Sequence, residues 1–86
     1  MKHVATALFW RSYDLLPKSV QSLADKNFGL LKSNPHHPSL HLKRVGRLWS
    51  VRVGLHHRAI GMDYRAGIAW IWIGTHADYD KRIGDV

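Results

Sequence analysis

The stretch that most constrains this chain runs from Leu40 to His76, where apolar and polar residues follow a period of two between glycine-marked breaks. Trp49, Val51 and Val53 alternate with Ser50 and Arg52. Successive side chains of a strand point to opposite faces, so one face here is apolar and the other polar and basic. His57 to Ile60 follows after Gly54, Leu55 and His56, and a third turn falls at 63–67. Ile68 to Ile73 is apolar at every position. Such a run predicts a strand buried on both faces. With Gly46 marking the first turn, the stretch reads as a four-stranded antiparallel meander. Eighty-six residues leave room for one domain, 1–86, with one modest core.

Upstream the period changes. Met1 to Val4 predicts a short edge strand. Ala5, Phe9, Tyr13 and Leu16 lie on one helical stripe, widened by Leu8. Pro17 breaks that helix and suits the first turn of the next. The second helix is expected from Pro17 to Lys32, burying Val20, Leu23, Ala24, Asn27, Phe28 and Leu31. Gly29 lies in its interior, where it would allow a close approach to the first helix. Ser33-Asn34-Pro35 ends it, because the residue before proline is pushed out of the helical region. A short helix, Ala77 to Ile83, follows Gly74 and Thr75, with Thr75 as its cap. The last residues, 84–86, are expected to fray. Helices segregated from strands give an α+β fold: two N-terminal helices on the apolar face of the meander, and a short C-terminal helix.

Charge narrows the function. Thirteen Lys and Arg stand against six acids, all Asp. Between Lys26 and Met62 there is no acid at all. That window holds Lys26, Lys32, Lys43, Arg44, Arg47, Arg52 and Arg58, together with five of the seven histidines. A one-signed block spread over sheet positions favours phosphates or an acidic protein segment. No cysteine is present, which excludes disulfides and thiolate chemistry. The chain has neither an apolar run long enough for a membrane span nor a signal-peptide pattern, so a cytoplasmic protein is expected. The histidines do not form a metal pattern. His36-His37 and His56-His57 are adjacent pairs that diverge on extended backbone, and no metal or other cofactor is expected.

Four motifs in order carry a resemblance: LP-x-x-VQ-x-LA-x-K-x-F from Leu16, NP-x-HPSLH-x-K from Asn34, WSVRVG-x-x-x-RAIG from Trp49, and W-x-WIGTHADYD from Trp70. Together they resemble the RelE/ParE superfamily of toxins from bacterial toxin–antitoxin pairs, over nearly the whole chain. The resemblance implies a sheet whose concave face receives RNA, and a cognate antitoxin whose acidic segment covers the basic face. It implies a metal-independent endoribonuclease that cuts mRNA and inhibits translation, in many members on the ribosome. A ParE-like inhibitor of DNA gyrase, or a non-catalytic binding module of the same fold, are the alternatives.

Cleavage by the 2′-hydroxyl needs proton transfer and cations around the phosphorane. Arg52 and Arg58 align with the strand cations of RelE-like nucleases and are assigned to phosphate clamping, for which Arg has bidentate geometry. His76 follows the last strand in Gly74-Thr75-His76, like the catalytic histidine of one branch, and imidazole is a side chain suited to proton transfer near neutrality. Lys43, His41 and Arg44 are expected on RNA phosphates. Tyr79 is expected to stack on a base or hold His76, although the usual family tyrosine falls on Arg82 here. Trp70 and Trp72 are expected in the core, and His57 as a packing residue.

Overall fold

The computed structural model describes residues 2–84, so Met1, Asp85 and Val86 lie outside the described residues. The order is β1 (Lys2–Ala5), α1 (Ala7–Tyr13), α2 (Lys18–Ser33), a 3-10 turn at Pro38–Leu40, β2 (Lys43–Val45), β3 (Leu48–Val53), β4 (His57–Tyr64), β5 (Gly67–Thr75) and α3 (His76–Gly84). The strands form one sheet in the order β1-β5-β4-β3-β2. Strands β2 to β5 are the expected antiparallel meander. The N-terminal edge strand is also present, but it runs parallel to β5, so the sheet is mixed. The expected α+β arrangement of meander and edge strand thus makes a five-stranded sheet. Among the described residues no helix is long and apolar enough to cross a membrane.

Thr6 starts α1 and ties it to the sheet. Its Oγ1 accepts the Phe9 N–H at 3.3 Å and donates to the Trp70 carbonyl at 2.9 Å. One turn on, Ser12 Oγ accepts the Ile73 N–H at 3.0 Å. Beyond Trp70, β1 no longer pairs with β5, and this hydroxyl satisfies a donor of the edge left open. Helix α1 is shorter than the expected Ala5–Leu16: Ala5 pairs with Trp70 in the sheet, and the chain leaves the helix after Tyr13. Leu8 does not widen the buried stripe and is 57% exposed. Pro17 is the N-cap of α2, in extended backbone with φ −58° and ψ 151°. Tyr13 joins the two helices, its hydroxyl donating to Asp25 Oδ1 at 2.8 Å and its carbonyl accepting from Gln21 Nε2 at 3.0 Å.

The helix pair covers one face of the sheet. Phe9, Ala24 and Leu31 meet Val51, Val53, Ala59, Ile68, Trp70 and Ile73 there, with Leu40 closing one side. Gly29 does not mediate an approach between helices, since a methyl there would meet nothing. The opposite face carries a smaller cluster of Ile60, Trp72 and Tyr79, formed where α3 lies on β4 and β5. A register shift separates the two clusters. Ile60 pairs with Trp72 but Gly61 pairs with Trp70, leaving Ile71 as an additional residue on β5. This bulge sends Trp70 to the helix face and Trp72 to the other. Gly61 is fixed by the same feature: a Cβ there would lie 2.4 Å from Ile68 Cγ2 and 2.9 Å from Trp70 Cε3.

Candidate nucleic-acid interface on the open sheet face

The face opposite the helix pair collects most of the predicted site residues. Arg52 and Arg58 are direct cross-strand partners on β3 and β4. Partners in an antiparallel pair point to the same side, with Cβ atoms about 5 Å apart. Lys43 pairs with Ser50, which shares this face two residues from Arg52. His41 lies just before β2, with φ +48°, a left-handed conformation that histidine adopts more readily than most residues. That backbone brings its Nδ1 to 3.4 Å from Arg52 Nη2. The contact has Arg52 donating to an unprotonated Nδ1.

Arg58 is held against α3. Its guanidinium carbon is 5.2 Å from the centroid of the Tyr79 ring. Tyr79 is the buried residue of α3 and is only 6% exposed. The Nε and Nη1 atoms of Arg58 are buried and have no hydrogen-bond partner among the described residues, and neither does Ser50 Oγ on the same face. Buried donors left unpaired are costly, and they are the groups an incoming anion satisfies. A second stack runs the other way, with Arg82 of α3 4.7 Å from the Trp72 ring of the sheet. The Trp72 ring occupies the space that Gly74 leaves open: a Cβ on Gly74 would be 2.3 Å from Trp72 Cζ2.

His76 is the first residue of α3, and its N–H donates to the His56 carbonyl at 2.8 Å. Thr75 Oγ1 accepts the Asp78 N–H at 3.2 Å, so the expected cap is present and the helix starts one residue earlier than predicted. The His76 ring lies 6.0 Å from that of Tyr79. Its Nδ1 is 3.2 Å from Asp80 Oδ2. That contact leaves Nε2 as the ring nitrogen not engaged by Asp80. Tyr79 therefore touches both Arg58 and His76, and links sheet to helix.

Arg44 is the predicted residue that the structure takes elsewhere. Alternation along β2 points it to the opposite side from Lys43. There it pairs with Asp63 at 2.9 Å and stacks on Trp49 at 4.7 Å, while Trp49 Nε1 donates to Asp63 Oδ1 at 2.8 Å. The Arg44 ion pair and these hydrogen bonds hold the Asp63 carboxyl below its usual range. His57 lies on the helix side, paired with Val53, and burial pushes its imidazole down. Three residues were not singled out from sequence: Ser50, Asp80 and Trp72 as part of the site. Only Asp80 had a readable signal, the four-residue spacing from His76 that puts both on one side of a helix.

The arrangement of sheet and helices is found again in known proteins. A family model described as a ParE-like toxin domain matches residues 18–81. The chain belongs to this family. Membership covers α2, the meander and most of α3, and it makes the protein a toxin domain of RelE/ParE type. No curated protein matches the chain. Solved structures share the fold. The toxin–antitoxin complex RelB–RelE from Methanococcus jannaschii aligns with a TM-score of 0.69 at 12% identity, covering 92% of this chain and 96% of that one. A YoeB/ParE toxin from Agrobacterium tumefaciens gives 0.65 at 18% identity, over 88% and 99%. A copper-bound mutant toxin from Helicobacter pylori gives 0.62 at 14% identity, over 91% and 97%. At these identities the likeness is one of fold, and the α+β assignment stands on it.

Proposed function

We propose that this ParE-like toxin domain is a metal-independent endoribonuclease that cuts mRNA and thereby stops translation. The observation that carries the reading is the Arg52–Arg58 pair, two cations facing each other with no carboxylate between them among the described residues, and with His76 linked to Arg58 through the Tyr79 ring. Like charges directly opposite on a sheet are unfavourable, and a bound phosphate removes that cost.

In this reading Arg52 and Arg58 clamp the scissile phosphate, and the unpaired Nε and Nη1 of Arg58 donate to its oxygens. The neutral imidazole of His76 takes the proton of the 2′-hydroxyl at Nε2 while Asp80 holds Nδ1. The 2′-oxygen forms a bond to phosphorus and the bond to the 5′-oxygen breaks. Water protonates the departing oxygen, leaving a 2′,3′-cyclic phosphate and a 5′-hydroxyl. Negative charge grows on the phosphorane oxygens, where the two guanidiniums stabilise it. Lys43 and His41 guide the neighbouring backbone, and Tyr79 keeps Arg58 and His76 in position. An acidic segment of a cognate antitoxin covers the same face and excludes RNA. The charge of the face supports this, as does the presence of an antitoxin in the RelB–RelE neighbour.

The test is to add the purified domain to a translating lysate and map mRNA ends by primer extension. Discrete cuts that vanish with His76→Ala and fall steeply with Arg58→Ala support the reading. Intact mRNA in the lysate, together with inhibition of DNA gyrase supercoiling by the same preparation, overturns it.

A further inference from the structure

The basic face does not end at Arg52. That residue also lines an open groove of about 560 Å³ between α2 and the β3–β4 turn. The floor is apolar, made by Leu23 and Leu30 of α2 and by Leu55 of the turn, which is 82% exposed. Around it stand Lys26, Asn27, His37 and Ser39. Among the described residues no carboxylate lines it. Asp25, the neighbour of Lys26, is engaged by the Tyr13 hydroxyl. The groove is closely built at the turn: a Cβ on Gly54, whose φ is +67°, would come within 2.6 Å of Leu23 Cδ2.

We infer that this groove is a subsite for a nucleotide of the RNA strand flanking the cleavage point. The inference rests on the nuclease reading and extends it. Three features fit a nucleotide better than an apolar helix. Its volume is within the range of small-molecule sites, about 300–1,000 Å³. The ring of groups is mixed: two cations for phosphate, an amide and a hydroxyl for a base or ribose edge, and leucines for the face of a base. Finally, Arg52 belongs to both places, so a strand clamped between Arg52 and Arg58 has its next phosphate at the groove mouth. Ser39 Oγ and His37 Nδ1 are 2.8 Å apart, which fixes the loop that forms the far wall. Asn27 offers both a donor and an acceptor to a base edge, and so gives the subsite a basis for preferring one base.

The experiment measures binding of 2′-O-methyl RNA, which lacks the nucleophile and stays intact, by fluorescence anisotropy. A trinucleotide, sufficient for the clamp alone, is compared with a longer strand. For the wild-type domain the longer strand binds more tightly. Lys26→Gln and Leu55→Glu, both at exposed positions, each remove about five- to tenfold of that gain. Lys26→Gln also lowers the salt dependence by about one phosphate contact, a change in log–log slope of about 0.7. If both variants keep the full gain, the groove holds no RNA and the inference is overturned while the clamp stands. Variants that keep the gain but lose affinity for the co-expressed antitoxin overturn it too, and assign the groove to the protein partner. If neither RNA binds but mRNA is still cut in a translating lysate, the groove inference falls and the nuclease reading survives. Absence of both binding and cutting removes the two together.

Discussion

Arg52 and Arg58 face each other across the β3–β4 ladder, and among the described residues no carboxylate bridges them. Arg58 is instead supported by the Tyr79 ring and Arg52 by the His41 imidazole. This arrangement holds positive charge in place without neutralising it. Removing one partner should therefore separate stability from binding. Arg52→Gln relieves a cross-strand repulsion of about 0.2–1 kcal/mol, so urea denaturation should find the variant as stable as the wild type or slightly more so. RNA affinity should fall, with a shallower salt dependence. A loss of stability well above 1 kcal/mol would show that Arg52 is a structural residue and not a free clamp.

Tyr79 joins three functions in one ring: it fills the second core cluster, backs Arg58 and touches His76. Its truncation to Ala should cost about 3 kcal/mol, as for other buried aromatics. Tyr79→Phe keeps the ring and should cost less than about 1 kcal/mol. If the hydroxyl takes no part in chemistry, Tyr79→Phe also keeps cleavage close to wild type. Thermal denaturation and the primer-extension assay on the two variants check both statements.

Two glycines should respond in opposite directions to the same methyl group. At Gly29, in the middle of α2, a Cβ meets nothing, so Gly29→Ala should stabilise by about 0.5–1 kcal/mol through helix propensity and a less flexible unfolded chain. At Gly74 the added Cβ collides with the Trp72 ring, and Gly74→Ala should destabilise by about 1–3 kcal/mol. Gly74→Ala should also weaken cleavage, because Trp72 anchors Arg82 and hence α3, which carries His76. Paired chemical denaturation curves decide the sign at each site.

Stability should decline on the acid side of neutrality. Burial lowers the pKa of both His3 and His57, with further lowering from Lys32 at His3 and from His56 at His57. His3 Nδ1 also accepts the Trp70 Nε1 proton at 3.1 Å, which requires that nitrogen to be unprotonated. The folded state therefore favours the neutral rings. Above about pH 6.5 both folded and unfolded chains hold them neutral and nothing is lost. As pH falls below that value the unfolded chain takes up protons first, and folding stability drops until the folded pKa values are passed. His3→Gln keeps an acceptor for Trp70 and removes the titration. Its denaturation midpoint should therefore vary less between pH 7 and pH 5 than that of the wild type.

How much of this was legible beforehand differs by element. The meander was readable because Trp49 to Val53 alternates and glycines mark its turns. The helix hairpin was readable because Pro17 and Pro35 punctuate two stripes of period near 3.6. The site was readable in part. Arg52, Arg58, His76 and Tyr79 come together as their strand and helix positions imply, and Lys43 joins them on the same face. Arg44 does not, since it is the next residue along an alternating strand.

The sequence by itself determined the element types and the one-signed charge of the middle of the chain. These depend on side-chain pattern within a few neighbours, where backbone geometry fixes the period. The tertiary structure alone decided that β1 runs parallel to β5, that His41 bends back to Arg52, and that Trp70 and Trp72 serve opposite faces. Two residues apart on a regular strand, those tryptophans would share a side. The additional residue at Ile71 is set by where β4 takes up its register after Gly61, and that register is a property of contacts between distant parts of the chain.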